Sequence, residues 1–374
     1  MNRTFFFHTD RLTVGYDKKP LIRDIEIGID RGQILTLIGP NGSGKSTILK
    51  SITKQLKALG GTVWIGGCPV EQMTERDLSR RASVVLTERL KTELMTCEDV
   101  VASGRYPYTG TLGILSAFDR SRVCEAMALV NVLDLKDRDF TRISDGQRQR
   151  VLLARAICQE TEIIVLDEPT SFLDAHHALE LLGLLRRLAK ERNLAVIMSL
   201  HELGLAQKVS DQVLCVKGEY LTHWGPPSEI FRPEMICGLY GLPLGSYNPL
   251  FGSLELARPA GEPKVFVIAG GGTGIGEYRA LQRQGIPFIT GVLHENDVDY
   301  QVASALAAAV IGEQSFLPIG DEAYGAALRA MEDCDTVVNC LQSYGEINVR
   351  NKALFEAAKA MGLRTADRAA EVRT

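Results

Sequence analysis

The residues with the clearest chemical purpose are Gly39-Pro40-Asn41-Gly42-Ser43-Gly44-Lys45-Ser46-Thr47. They satisfy the pattern G-x-x-x-x-G-K-[ST]. Glycines at these intervals let backbone N–H groups converge on phosphate oxygens, and a helix starting near Lys45 adds positive potential. Lys45 is expected to reach the β- and γ-phosphates of a nucleotide, and the Ser46 hydroxyl to ligate Mg²⁺. A second group, Ile163-Ile164-Val165-Leu166-Asp167-Glu168, ends an apolar run in two carboxylates. Asp167 is suited to hold Mg²⁺ through water, and Glu168 to orient or polarise an attacking water. Alone, such a run is an ordinary strand end with a solvated turn. The phosphate-binding pattern gives the two acids something to act on.

These residues need a scaffold of strands and helices. The run Ile34–Ile38 is a buried strand feeding the glycine-rich turn, and Lys45–Lys57 has helical spacing with Ile48, Leu49, Ile52 and Leu56 on one face. Ile163–Leu166 and Leu194–Leu200 read as further buried strands, with a helix over Ala175–Arg192 between them. Strands alternating with helices predict an α/β domain built on a mainly parallel sheet. Residues 244–263, rich in Pro, Gly and Ser, read as a linker between a domain over 1–243 and a second over 264–374. In the second domain strands are expected at Val265–Ala269, Pro287–Val292 and Thr336–Cys340. Helices are expected near Glu277–Gln284, Tyr300–Ile311, Glu322–Glu332 and Val349–Met361.

Composition sets the outer limits. At 374 residues, 45% hydrophobic and 24% charged, the chain is ordinary globular material of two or three domains. The net charge of −4 argues against broad binding to nucleic acid, and residues 264–374 account for all of it, with 10 basic and 14 acidic residues. Eight cysteines form no Cys-x-x-Cys pair and histidines number six, a poor basis for a zinc or iron–sulfur site. Unpaired cysteines fit a reducing compartment. The three apolar residues Phe5-Phe6-Phe7 are too few for an export signal. The uncharged run Met235–Leu254 contains Pro243, Pro249, Asn248 and glycines, and so reads as loop, not as a membrane span.

Between the two phosphate-chemistry groups lies Ile143-Ser144-Asp145-Gly146-Gln147-Arg148, followed by an amphipathic helix. With this the chain resembles the ATPase subunits of ABC transporters, whose signature is usually L-S-G-G-Q. Ser144, Gly146 and Gln147 match, and Asp145 stands where the first glycine is usual. The resemblance covers about residues 5–240 and implies a P-loop NTPase of ABC type, with a RecA-like core and a helical subdomain. It implies that ATP and Mg²⁺ bind, that ATP is hydrolysed, and that the signature meets the γ-phosphate held by a second subunit in a head-to-tail homodimer. It assigns adenine stacking to Tyr16, catalytic roles to Glu168, His201 and Lys45, and dimer contact to Ser171-Phe172-Leu173-Asp174. It places Glu88 where a glutamine usually ligates Mg²⁺. A carboxylate there can still serve as a ligand.

The segment Asp99-Val100-Val101-Ala102-Ser103-Gly104-Arg105-Tyr106-Pro107 is similar to one found in importers of iron chelates, haem and vitamin B12. A subunit of that branch would sit at the cytoplasmic face of the inner membrane, peripherally, on a multi-span permease. An external substrate-binding protein would be engaged only indirectly, and nucleic acid not at all.

The tail reads as a small Rossmann-like α/β domain. Gly270-Gly271-Gly272-Thr273-Gly274-Ile275-Gly276 follows a strand and opens a helix, and its spacing resembles the cofactor loop of short-chain dehydrogenases. No Tyr-x-x-x-Lys follows it. Gly270, Gly272, Gly274 and Gly276, with His294, Glu295, Asn296 and Asp297, are the candidate ligand residues, because loops at strand carboxyl ends converge on one edge. The glycine run alone offers an anion site. A ligand-sensing, a docking and an enzymatic role for the tail all remain open at this point.

Overall fold

The computed structural model describes residues 5–86, 94–110, 113–243 and 246–372. The chain divides into two compact units, Met1–Phe231 and Arg232–Thr374.

In the first unit, five parallel strands lie in the spatial order Ala82–Val85, Ile163–Leu166, Ala195–Ser199, Ile34–Ile38, Gln212–Lys217. The three central strands of this row are apolar with hardly a break, as expected for strands buried on both faces. Beyond Gln212–Lys217 the sheet continues through Tyr220–Gly225, antiparallel to it, and Lys19–Ile25, parallel to Tyr220–Gly225, to Phe7–Tyr16 and Gly60–Ile65, which pair antiparallel. Leu12, Ile22, Leu35, Leu37, Ile48 and Leu49 belong to one core cluster, which seats the helix Lys45–Ile52 on the sheet. That helix ends five residues earlier than its spacing predicts.

A helical group, Cys97–Ala102, Ala117–Leu129 and Asp145–Cys158, packs on itself. Each of the three helices starts with a reciprocal capping box: Thr96 with Asp99, Ser116 with Asp119, Ser144 with Gln147. Arg105 is buried among them. Its guanidinium donates to Asp119 at 3.0 Å, to Glu160 at 2.8 Å and to the Cys158 carbonyl at 2.8 Å. The Gly104-Arg105 pair of the importer-like segment thus ties the helices together. Gly104 itself lies so near the Arg155 carbonyl that a Cβ there would sit at 2.4 Å.

The second unit holds five parallel strands in the order Ala309–Glu313, Phe288–His294, Val265–Ile268, Thr336–Asn339, Arg364–Ala366. The first strand in sequence is central and the next two run outward on one side, the arrangement of dinucleotide-binding sheets. Helices Ile275–Gln284, Val298–Leu306, Asp321–Glu332 and Val349–Ala360 alternate with the strands. Two expectations are corrected. The helix expected over Tyr300–Ile311 stops at Leu306, and Ala309–Glu313 is a strand; its alanines favour helix, but Val310 pairs with Thr290 across the sheet. The run Met235–Leu254 is not all loop, because Pro233–Tyr240 is helical, with Pro233 at its first position and Gly241 (φ 67°) ending it. Within 246–263 the chain forms a short antiparallel pair, Tyr247–Asn248 with Ser253–Leu254.

Candidate functional site: a phosphate-loop cleft

Strands Ile34–Ile38, Ala195–Ser199 and Ile163–Leu166 are neighbours, so the residues that follow their carboxyl ends gather at one edge. From Ile38 the chain enters the glycine loop. Gly44, at the helix N-cap, has φ 104°, which an L side chain rarely adopts. Gly39 lies against the Val216 carbonyl, where a Cβ would meet it at 2.2 Å. The loop therefore depends on glycine both for its path and for its seat on the sheet.

Tyr16, Asn41, Gly42, Ser43, Gly44, Lys45, Ser46, Thr47, Glu168 and His201 line one cavity of about 410 Å³ together with Leu21. Lys45 is buried, and its ammonium donates to the carbonyls of Gly39 (2.8 Å) and Pro40 (3.0 Å). Burial lowers its pKa, an effect opposed by the nearby Glu168 and Asp167 carboxylates. The Tyr16 ring is half exposed, with its hydroxyl 3.3 Å from Thr47 Oγ1, leaving an aromatic face at the cleft mouth.

Asp167 is buried at the strand end and accepts a hydrogen bond from Ser199 Oγ at 2.7 Å. The same Ser199 oxygen accepts from the Glu168 backbone N–H at 2.8 Å. Glu168 has φ 50°, a left-handed conformation that costs a non-glycine residue free energy and clusters at functional sites. Its carboxylate contacts His201 Nε2 and accepts from Ser171 Oγ at 3.2 Å. Ser199 was not singled out as a site residue in the sequence. Its signal was available: a serine ending an otherwise apolar strand, two residues before His201.

Not every candidate joins this cleft. Ser144 caps the helix Asp145–Cys158, with Gln147 N–H on Ser144 Oγ at 3.3 Å and Ser144 N–H on Gln147 Oε1 at 3.1 Å. Gly146 lies beside the following loop, where a Cβ would be 3.2 Å from Leu173 and 3.5 Å from the Phe172 carbonyl. Asp145 occupies the first helical position and pairs with Arg148. An acid there suits the helix dipole, and no left-handed backbone demands a glycine. Asp174 caps the helix Ala175–Glu191 through His177 N–H at 2.9 Å; this hydrogen bond holds its carboxyl below the usual range. None of Ser144, Gly146, Gln147 and Asp174 lines the cleft of its own chain. Glu88 lies outside the described residues.

In the tail, Gly270, Asp297 and Leu341 meet at the sheet edge: a Cβ on Gly270 would be 3.4 Å from the Asp297 carboxylate and 3.8 Å from Leu341. The loop's amides face carboxylates of the same chain. Gly271 N–H donates to Asp297 at 2.7 Å, Gly272 N–H to Asp299 at 2.9 Å, and Gly274 N–H to Asp299 at 3.1 and 3.2 Å. Gly276 lies within the helix. His294 is buried and donates from Nε2 to the Leu317 carbonyl at 2.8 Å, while Glu295 and Asn296 are exposed.

A glycine loop between strand and helix, two carboxylates on the next strand but one and a histidine on the strand between define a P-loop nucleotide hydrolase. The ABC transporter family pattern matches residues 22–171, and a second pattern, the MJ0874 family, matches residues 288–368. An uncharacterized ABC transporter ATP-binding protein of Methanocaldococcus jannaschii, MJ0873, is 41% identical over 76% of this chain and 99% of its own. The cobalamin import ATP-binding protein BtuD of Halobacterium salinarum is 30% identical over 83% of this chain and 79% of its own. The iron(3+)-hydroxamate import ATP-binding protein FhuC of Bacillus subtilis is 34% identical over 61% and 85%. Among solved structures, a transporter assigned to the metal-chelate type, in an inward-facing conformation, superposes with TM-score 0.57 and 26% identity over 64% of this chain and 90% of that one. The chain belongs to the ABC transporter ATP-binding proteins: it is an ABC transporter ATPase, carrying an additional MJ0874-family domain at its C-terminal end. Among the described residues no helix is long and apolar enough to cross a membrane.

Proposed function

We propose that this ATPase drives import of an iron chelate, haem or cobalamin through a multi-span permease, bound at the cytoplasmic side of the membrane. The observation that carries the catalytic part is the grouping of Lys45, Glu168 and His201 in one cleft, with Asp167 held beside them by Ser199. Ser46 and Asp167 would hold Mg²⁺, with Glu88 as a further ligand. A bound Mg²⁺ would supply neutralisation of the phosphate charge, and Lys45 would leave its two carbonyls to bind the β- and γ-phosphates. Glu168 orients the attacking water, and His201 keeps the Glu168 carboxylate in place. Ser144, Gly146, Gln147 and Asp174 face the nucleotide of a second copy, which agrees with their absence from the cleft of their own chain.

The choice of cargo rests on the named relatives, importers of ferric hydroxamate and of cobalamin, and on the Gly104-Arg105 segment. A second reading, in which the added domain is a docking module for a neighbouring protein, is favoured by its glycine loop being capped from within. The test is reconstitution with the permease in vesicles. A binding protein loaded with ferric chelate, haem or cobalamin should raise ATP turnover severalfold. Stimulation only by some other solute would refute the cargo assignment while leaving the ATPase intact.

A further inference from the structure

The tail glycine loop has the outline of a phosphate cradle, yet its amides are already spent. Gly271, Gly272 and Gly274 point their N–H groups at carboxylates that arrive from 25 to 27 residues further along the chain. Asp299 is fully buried, the burial that an enclosed ligand oxygen would have. Asp297 does two jobs: it accepts from Gly271 and caps the helix Val298–Leu306 through Asp299 N–H at 3.0 Å. Two carboxylates thus fill the positions where a bound phosphate would place its oxygens. Anionic oxygens bonded to backbone amides are strong, short-range acceptors, so an incoming phosphate would have to displace them and then sit beside them.

We propose that Asp297 and Asp299 are built-in anions that close this loop to nucleotides and other phosphate-bearing ligands. The tail then does not read nucleotide at its glycine loop, and any influence on the ATPase comes from another part of its surface. The Rossmann-like strand order is kept, while the acids after the second strand turn inward to the glycine loop. In dinucleotide-binding sheets the acid at that place faces a ribose.

The experiment is amide hydrogen exchange on the full chain, read by mass spectrometry on peptides spanning residues 266–281. That local readout separates the tail from nucleotide bound at Lys45. In the natural chain these amides should be protected, and excess inorganic phosphate or NAD should leave them unchanged. In Asp297→Ser/Asp299→Ser, exchange should quicken by about tenfold or more, the scale of a lost charge-assisted hydrogen bond, and phosphate should restore part of the protection. Should the double variant fail to fold, Asp297→Asn alone should quicken exchange at Gly271. Slower exchange in the natural chain on adding phosphate or NAD would overturn the proposal. So would unchanged protection in the variants.

Discussion

Ser199→Ala removes one hydroxyl that serves two site residues. Its oxygen donates to the buried Asp167 carboxylate at 2.7 Å and accepts the Glu168 amide at 2.8 Å. A hydrogen bond to a charged group contributes about 1.5–3 kcal/mol and a neutral one about 0.5–1.5, so the loss should be about 2–4 kcal/mol. For a domain of this size each kcal/mol moves the midpoint by about 2–4 °C, giving a fall of roughly 4–16 °C. Calorimetry on the full chain can isolate the relevant transition, because ATP should raise the midpoint of the first unit alone. Catalysis should suffer as well. Glu168 sits in a backbone conformation costing about 1–3 kcal/mol that its surroundings must enforce. Without the Ser199 bond to its amide, kcat should fall about tenfold or more, since small misplacements of a catalytic group are costly. The Mg²⁺ concentration needed for half-maximal turnover should also rise, because Asp167 loses the donor that orients it. A variant with an unchanged midpoint and an unchanged Mg²⁺ titration would show that Ser199 supports neither Asp167 nor Glu168.

Lys45→Ala should weaken ATP binding itself, measured by calorimetric titration, since Lys45 is the only lysine or arginine among the described residues that line the cleft. The tail should show an inverted pH dependence from Asp299, whose pKa burial raises while its bonds to the Gly274 and Gly272 amides oppose the shift. Between the ordinary carboxylate value of about 4 and the raised folded value, the folded chain holds a proton that the unfolded chain has released. Stability from this group therefore falls as pH rises through that window, and Asp299→Asn should flatten the slope in thermal melts of the second unit.

The cleft was legible because its chemistry is written in contiguous motifs. Gly39–Thr47 and Ile163–Glu168 each carry their strand, turn and functional residues within about ten positions, so local pattern and site coincide. What was missed depends on contacts between distant segments. Ser199 acts on residues 31 and 32 positions earlier, a relation visible only once the two strands lie side by side. The same holds for Asp299, and for the bond that Asp297, itself a candidate ligand residue in the sequence, makes to the Gly271 amide. Locally both residues read as a helix start, and only the parallel pairing of Val265–Ile268 with Phe288–His294 brings them to the glycine loop. The strand Ala309–Glu313 was hidden by composition, since alanine-rich sequence favours helix until a sheet edge offers partners. The signature departure at Asp145 was plain in the sequence, but its tolerance was not. The first helical turn accepts an acid, and Arg148 pairs with it.

The central claim, that Glu168 performs the hydrolytic step in an ATP-bound dimer, is tested most directly by measuring Mg²⁺-dependent ATP turnover and sedimentation of the full chain beside Glu168→Gln. The variant should retain ATP binding, lose turnover by about a hundredfold or more, in keeping with a removed general base, and accumulate as an ATP-bound dimer. Equal turnover in the two proteins would contradict it.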